Sequence, residues 1–218
     1  MALDLLLILA FAAFETTSTA LTLAVKNVGE HPEVFEELTK EHEAILRNRE
    51  NKDQSGITWQ EYKSMTFTQM VINETVRLGN IVPGIFRKVL KDVEIKGYTI
   101  PAVWIVMVCP PAVHMNPKQY DDPFPFNPWR WQGQELNAGS QNFMSFGGGS
   151  RLCAGAEFSK LQMAIFLHHL VTKYRWRVIR GGEIIRLPAV IFPKMVSTFK
   201  YWRRISKSTT KTEYPKDI

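Results

Sequence analysis

The stretch Phe146–Gly155 constrains the fold of this chain more than any other, because three consecutive glycines run into a lone cysteine. Glycine lets the backbone turn tightly and lie close to a flat group. Beyond Gly155, apolar residues recur at three- and four-residue spacing, which predicts a helix from about residue 156 to residue 173. Cys153 therefore lies just before a helix N-terminus, where a negatively charged thiolate is favoured.

Several interpretations of this cysteine are open. A thiolate on a loop, without a second cysteine nearby, suits an axial ligand of haem iron. A buried structural cysteine in a glycine-rich turn is a second interpretation, and a Cys–His nucleophile using His114, His168 or His169 is a third. A phosphate-binding loop is excluded because no lysine followed by serine or threonine comes after the glycines. A zinc site is disfavoured because Cys109 and Cys153 are the only cysteines.

Composition limits the class of protein. The chain has 218 residues, of which 45% are hydrophobic and 22% charged, enough for one sizeable globular core. Two cysteines make no disulfide framework and indicate a reducing compartment. The net charge is +6, with basic residues concentrated late in the chain, which fits either a solvated tail or attraction to an anionic membrane face or an acidic redox partner. Nothing in the pattern indicates nucleic-acid binding.

The N-terminal stretch Met1–Phe14 is strongly apolar but shorter than the ~20 residues that a membrane span requires. A signal peptide is one interpretation, since Ala10–Ala12 resembles a cleavage site. The alternative is one continuous helix that runs past Ala12 and carries the acid–alcohol pair Glu15 and Thr16. An adjacent acid and alcohol can bind and relay protons.

The stretch Phe146–Gly155, called the cysteine loop below, resembles the haem loop of cytochrome P-450 enzymes, F-x-x-G-x-R-x-C-x-G. The matching residues are Phe146, Gly149, Arg151, Cys153 and Gly155. The resemblance implies a haem whose iron is axially bound by Cys153, with Arg151 on a haem propionate.

Three further stretches resemble the same family, in the family's order. Ala12–Thr17 is similar to the oxygen-side helix motif [AG]-G-x-[DE]-T-[TS], with Ala13 where glycine is usual, so Glu15 and Thr16 would deliver protons. Glu74 and Arg77 form the E-x-x-R pair. Arg130 lies in the Pro- and Asp-rich segment His114–Trp131, which corresponds to the family's meander, and would complete a buried charge network with that pair. Arg87 would hold a propionate.

The resemblance implies a mainly α fold with small β-sheets, the C-terminal half of the cytochrome P-450 fold, truncated at the N-terminus. We expect residues 1–205 to form this partial domain and residues 206–218 a disordered polar tail. The wording of Pro110–His114 and Phe126–Trp131 is most similar to the plant clan that oxidises sterols, brassinosteroids and triterpenoids.

The function implied is that of a haem-thiolate monooxygenase, which inserts one atom of O₂ into a C–H bond of an apolar substrate, a sterol or triterpenoid. Electrons would come from NADPH through NADPH-cytochrome P-450 reductase. A full-length member would lie at the cytosolic face of the endoplasmic reticulum membrane, with contact through the missing N-terminal part; this chain shows no evident anchor. The rival hypothesis is a non-catalytic, haem-binding remnant, and we expect the chain alone to lack activity.

Local patterns also predict the remaining elements. A capping box at Thr58–Glu61 opens a helical segment that continues to Arg77. Alternating and β-branched stretches predict strands, with a hairpin around Gly97, a buried strand before Pro110 and a closing hairpin around Gly181 and Gly182. The predicted strands are Phe86–Leu90, Val93–Ile95, Tyr98–Ile100, Trp104–Cys109, Trp176–Ile179 and Ile184–Leu187.

Overall fold

A computed structural model describes residues 2–49, 56–134, 140–180, 184–187, 190–193 and 198–203. The helices in these residues are α1 Ala2–Glu30, α2 Pro32–Arg47, α3 Trp59–Ser64, α4 Thr66–Gly79, α5 Pro110–His114 and α6 Ala156–Lys173. The strands are β1 Ile85–Lys88, β2 Val93–Ile95, β3 Tyr98–Ile100, β4 Ile105–Val108, β5 Tyr174–Arg180, β6 Ile184–Leu187, β7 Val190–Pro193 and β8 Thr198–Arg203. Short 3₁₀ turns span Pro128–Trp131 and Gly149–Arg151.

Helices α1, α2, α4 and α6 pack around one hydrophobic core. Each contributes apolar residues from one face, since residues three and four positions apart lie on the same side of a helix. Trp176 of β5 joins the core and donates its indole hydrogen to Val25 O at 2.9 Å. Among the described residues, the fully buried valines, leucines and isoleucines are Val28, Val34, Leu38, Val71, Ile72, Leu167 and Val171.

Helix α1 is buried only in its C-terminal half. Its first half exposes large apolar side chains such as Leu3, which is 81% exposed, and Phe14, which is 75% exposed. Within the described part of the chain, α1 is the one helix with the length and hydropathy of a membrane span, a criterion that core helices and signal sequences also meet. The apolar stretch Met1–Phe14 thus continues from Ala2 into a 29-residue helix.

The helical segment that begins at Thr58 is interrupted, which the sequence pattern did not predict. The capping box is present: Glu61 N donates to Thr58 Oγ1 at 3.1 Å, and Thr58 N donates to Glu61 Oε2 at 2.7 Å. The helix is then interrupted at Met65, and a second helix starts at Thr66. Glu41 of α2 accepts the amides of Phe67 and Thr68 at 2.7 and 2.9 Å, so a carboxylate from another helix satisfies the new N-terminus.

The predicted hairpin β2–β3 is confirmed, with Lys96 and Gly97 at φ values of 51° and 82°. Such positive values are typical of a tight hairpin turn. The prediction of a buried strand at Trp104–Cys109 is wrong in its burial. Ile105 is 69% exposed, and among the described strands β4 pairs only with β1.

The predicted closing hairpin is also wrong. Strand β5 pairs with β8, and β6 pairs with β7, both antiparallel. The seven-residue β5 finds a six-residue partner in β8, whereas β6 offers only four residues. Alternation of apolar and polar residues predicts a strand but does not specify its partner. A pair of glycines between two predicted strands is therefore not enough to predict that those strands pair with each other. The predicted tail, residues 206–218, lies outside the described residues.

Candidate functional site

The cysteine loop is a series of tight turns that ends at helix α6. Gly147 N donates to Met144 O at 2.9 Å, and Cys153 N donates to Phe146 O at the same distance. Gly147 and Gly149 adopt φ values of 77° and 64°, a region that favours glycine. Helix α6 begins at Ala156, as predicted. The loop therefore presents the backbone of Cys153 immediately ahead of four amides at a helix start.

The sulfur of Cys153 lies on an open surface. The residue is exposed and carries a free thiol. A Cβ added at Gly155 would lie 3.9 Å from the Cys153 Sγ, in van der Waals contact. Glycine at this position thus leaves one flank of the sulfur clear for a large ligand.

Arg87 and the cysteine loop line the same groove. The groove encloses about 330 Å³ between β1, β4 and the loop. Arg87 is exposed, and its Nη1 donates to Phe86 O at 2.9 Å. Among the described residues neither Arg87 nor Arg151 forms an ion pair, so both guanidinium groups are available to an anionic ligand. The groove is lined by Ile85, Arg87, Val108, Ser140, Gln141, Met144, Gly148 and Gly149.

Phe146 anchors the start of the loop to helix α6. Its half-buried ring packs against the core, and Lys160 Nζ lies 5.7 Å from the ring centroid. The same ammonium lies 5.9 Å from the ring of Phe143. Burial lowers the pKa of Lys160. The two rings offer the cation negative faces in place of part of its hydration.

Glu74 is fully buried and accepts hydrogen bonds on both carboxylate oxygens. Arg77 binds it through two nitrogens, Nε to Oε2 and Nη2 to Oε1, both at 2.8 Å. Arg130 Nε donates to Glu74 Oε1 at 2.9 Å. The structure therefore brings together the three residues of the predicted network, although they are separated by up to 56 positions in the chain.

Two further donors to Glu74 come from the meander and were not anticipated from the sequence. Trp131 Nε1 donates to Glu74 Oε2 at 3.0 Å, and Asn127 N donates to Oε1 at 3.1 Å. The guanidinium of Arg130 also closes the meander on itself, donating to the carbonyls of Asp121 and Asp122 at 2.9 Å. The Pro128–Trp131 turn, with its alternating aromatic and basic residues, was the available signal.

Glu15 and Thr16 lie apart from this network, on α1. Both are half-buried. Thr16 Oγ1 donates to Ala12 O at 2.7 Å, one helical turn earlier. Within the described ranges no hydrogen bond or ion pair joins either residue to the cysteine loop. Their predicted part in proton delivery therefore stays a prediction.

Two of the histidines considered for a Cys–His nucleophile, His114 and His168, are engaged elsewhere. His114 Nδ1 lies 2.7 Å from Asn80 Oδ1, and His168 Nδ1 lies 3.0 Å from His42 Nδ1. Burial lowers the pKa of His114 and of His168 to about 4 in each case. No hydrogen bond links Cys153 to a histidine in the part of the chain that the structure describes. No cluster of three or more metal-ligating side chains occurs there either.

Comparison of the sequence with known protein families identifies one that matches most of the chain. The family model described as cytochrome P450 matches residues 3–194. The chain belongs to the cytochrome P450 family. The match includes the cysteine loop, the Glu74 network and the Glu15–Thr16 pair, so the family resemblance of the sequence is confirmed over most of the chain.

The relatives of this P450 chain include plant enzymes. It is 62% identical over 193 residues to cytochrome P450 87A3 of Oryza sativa subsp. japonica, covering 88% of this chain and 37% of the relative. It is 52% identical to cucurbitadienol 11-hydroxylase of Siraitia grosvenorii, covering 87% and 40%. It is 47% identical to cholesterol 22-hydroxylase CYP90B27 of Paris polyphylla, covering 88% and 40%. The chain thus spans about two-fifths of the length of these relatives, and the predicted likeness to the plant sterol and triterpenoid clan is confirmed.

The fold prediction is confirmed as well. A structure titled retinoic acid bound cyanobacterial CYP120A1 superposes with a TM-score of 0.80 at 27% identity. The superposition covers 91% of this chain and 45% of that one. The mainly helical P450 chain with small sheets therefore corresponds to part of the family fold.

Proposed function

We propose that this P450 chain supplies the haem-thiolate centre of a monooxygenase that inserts one oxygen atom of O₂ into a C–H bond of an apolar substrate. One observation carries the proposal: the free, exposed Cys153 lies on a glycine loop directly before α6, in the family's haem-loop motif. Substrates of the sterol or triterpenoid class are supported by the names of the relatives, which include hydroxylases of cucurbitadienol, β-amyrin and cholesterol.

The residues present fit a haem. The side of Cys153 Sγ next to Gly155 is free of side-chain bulk, and Arg87 lies in the groove beside the loop. Cys153 would bind the iron, while Arg87 and Arg151 would pair with the two propionates. The bound haem would supply the activation of O₂, and the thiolate would donate electron density that favours O–O cleavage.

The roles proposed for the protein side chains divide between two faces. Glu15 and Thr16 on α1 would hold and move protons on the oxygen side. Phe146, Gly149 and Gly155 would shape the loop around the sulfur. The buried network of Glu74, Arg77 and Arg130 would hold the meander against α4, which is an architectural role.

The proposal extends to partners and place. NADPH-cytochrome P-450 reductase would deliver the electrons, and the whole protein would lie at the cytosolic face of the endoplasmic reticulum membrane. The exposed apolar first half of α1 is consistent with a larger protein in which further chain covers it. A haem-binding protein without turnover is the second candidate.

The test is a carbon monoxide difference spectrum of the reduced, haem-loaded protein. We expect a red-shifted thiolate-type band from the native chain and its loss in Cys153→Ser, because a serine hydroxyl is a poor anionic ligand at neutral pH. Cys109→Ser is the matched control, since Cys109 is a half-buried cysteine remote in sequence from the loop. An unchanged band in Cys153→Ser would falsify the ligand assignment. Substrate-dependent NADPH consumption with a reductase then separates an enzyme from a remnant.

A further inference from the structure

His114 connects helix α4 to the segment that leads into the cysteine loop. Its imidazole is fully buried between two partners. Met144 N donates to His114 Nε2 at 3.0 Å, and His114 Nδ1 lies 2.7 Å from Asn80 Oδ1. Met144 in turn accepts the amide of Gly147 at 2.9 Å, which forms the first turn of the glycine loop.

These contacts determine the tautomer of His114. The backbone amide of Met144 can only donate, so Nε2 must accept and cannot carry a proton. A neutral imidazole carries its proton on the other nitrogen, so Nδ1 donates to Asn80 Oδ1. The imidazole is neutral near pH 7, because burial, followed by the charge of Arg77, lowers the pKa of His114 to about 4.

Asn80 is shaped for this role by its place at the end of α4. It adopts φ 41° and ψ 50°, the left-handed conformation that asparagine tolerates, and its N–H donates to Val76 O at 3.2 Å. The helix C-terminus therefore directs the Asn80 side chain toward His114. Asn80 is only 4% exposed, so water does not compete strongly for its Oδ1 atom.

The backbone of His114 is tied to the charge network as well. Arg77 Nη1 donates to His114 O at 2.7 Å, while the other nitrogens of Arg77 bind Glu74. His114 is thus hydrogen-bonded to α4 through its carbonyl and to Met144 through its ring, so it links the position of the helix to that of the segment before the loop.

We propose that His114 is a positioning residue for the cysteine loop, and that Asn80 holds it in the Nδ1–H tautomer so that Nε2 can accept the Met144 amide. If the proton moved to Nε2, two donors would face each other and the hydrogen bond to Met144 would be lost. The hydrogen bonds themselves involve no ligand, and only their consequence for haem binding rests on the proposed function.

The test compares Asn80→Gly, His114→Gln and the double variant in the full 218-residue chain at pH 8. Glycine keeps the left-handed cap but removes the oxygen that holds the tautomer. Glutamine has no tautomers and can turn its amide oxygen toward Met144 whether or not Asn80 is present. The measurements are amide hydrogen exchange at Met144 and Cys153, and the imidazole ¹⁵N shifts of His114.

In Asn80→Gly we expect exchange at Met144 to accelerate by about tenfold or more, with part of the His114 population protonated on Nε2. In the double variant we expect Met144 protection to match that of His114→Gln, because the tautomer no longer matters. The proposal is overturned if Asn80→Gly leaves Met144 protection and the ¹⁵N shifts unchanged. It is overturned equally if the double variant exchanges as fast as Asn80→Gly, or if Ile72 in the core of α4 accelerates by the same factor, which would mean general loosening.

A haem titration of the same variants separates this inference from the proposed function. Failure of every variant, including the native chain, to give a thiolate-type spectrum would contradict the haem assignment and leave the exchange result intact. Normal haem spectra with unchanged exchange in Asn80→Gly would contradict only the positioning role.

Discussion

The indole nitrogen of Trp131 donates a hydrogen bond to Glu74 Oε2 at 3.0 Å, linking two residues that are 57 positions apart. Glu74 also accepts bonds from Arg77, Arg130 and the amide of Asn127, so its buried carboxylate has five donors from α4 and the meander. Two cations surround one anion in this cluster, and both guanidinium groups lie near the Tyr120 ring, at 4.9 and 6.0 Å from its centroid. The full set of donors compensates the desolvation of a charge that is closed to water.

The first prediction concerns Trp131→Phe. Phenylalanine keeps an aromatic ring in the core but removes the donor, so we expect the free energy of unfolding to fall by about 1–3 kcal/mol. Trp129→Phe is the matched control, since Trp129 is 39% exposed and donates no side-chain bond to Glu74. Urea unfolding followed by circular dichroism measures both. Equal losses in the two variants would contradict a specific role for the indole nitrogen.

The second prediction concerns Glu74→Ala. The substitution leaves Arg77, which is fully buried, without its carboxylate, so we expect a loss of about 3–5 kcal/mol and failure of the protein to fold stably. Glu36→Ala on the exposed face of α2 is the control and should stay within ~0.5 kcal/mol of the native protein. Soluble yield and the denaturant midpoint report the outcome. A Glu74→Ala protein with a native midpoint would show that the cluster is dispensable.

The third prediction separates two glycines of the cysteine loop. Gly149 has φ +64° with open space where a Cβ would project, so Gly149→Ala meets backbone strain alone and should cost about 1–2 kcal/mol. Gly155 has φ −94°, a conformation open to alanine, so Gly155→Ala should leave stability within about 0.5 kcal/mol. Gly149→Asn should recover part of the loss, because asparagine tolerates the left-handed region. Thermal unfolding that ranks Gly155→Ala below Gly149→Ala would contradict the assignment.

The fourth prediction concerns the buried histidine pair that joins α2 to α6. Burial, and then the charge of His168, lowers the pKa of His42 to about 3; burial, and then His169, lowers that of His168 to about 4. In the unfolded chain these histidines take up protons near pH 6.5, whereas the folded protein keeps them neutral to a lower pH. The stability of the fold is therefore full above pH 6.5 and declines as the pH falls toward the folded-state pKa values. Each histidine should contribute a slope of up to about 1.4 kcal/mol per pH unit in that window.

The measurement is the free energy of unfolding between pH 7 and pH 4. We expect His168→Leu to reduce the slope by the contribution of one histidine, since leucine does not titrate. A slope that is the same in the variant and in the native protein would show that His168 is not held neutral by the fold.

The fifth prediction concerns Thr16→Val in the complete enzyme. Among the described residues, Thr16 Oγ1 donates only to Ala12 O within its own helix, so removal of the hydroxyl should change stability by less than about 1 kcal/mol. If Thr16 handles protons as proposed, a larger share of the NADPH consumed should appear as peroxide or water instead of product. The ratio of product to NADPH measures this, with Thr22→Val as the control, since Thr22 makes the same bond to the carbonyl four residues before it, Ser18 O. Tight coupling in Thr16→Val would contradict the role.

The sequence by itself determined those features that a short stretch encodes. Helical spacing after Gly155 predicted α6 from Ala156 to Lys173, and the capping box at Thr58 predicted a helix start. Lys96 and Gly97 predicted a hairpin between β2 and β3. The cysteine motif identified the family. In each case the backbone conformation follows from residues within one or two turns of one another, so local pattern is sufficient.

Tertiary structure decided which of these elements meet. Only packing reveals that Glu41 of α2 starts a new helix at Thr66, that β5 pairs with β8, and that β4 stays exposed. It also converted His114 from a candidate nucleophile partner into a fully hydrogen-bonded link between Asn80 and Met144. The physical reason is common to all of them. A buried polar group or a strand edge must find a partner, and that partner is chosen by which surfaces the core brings together across tens of residues.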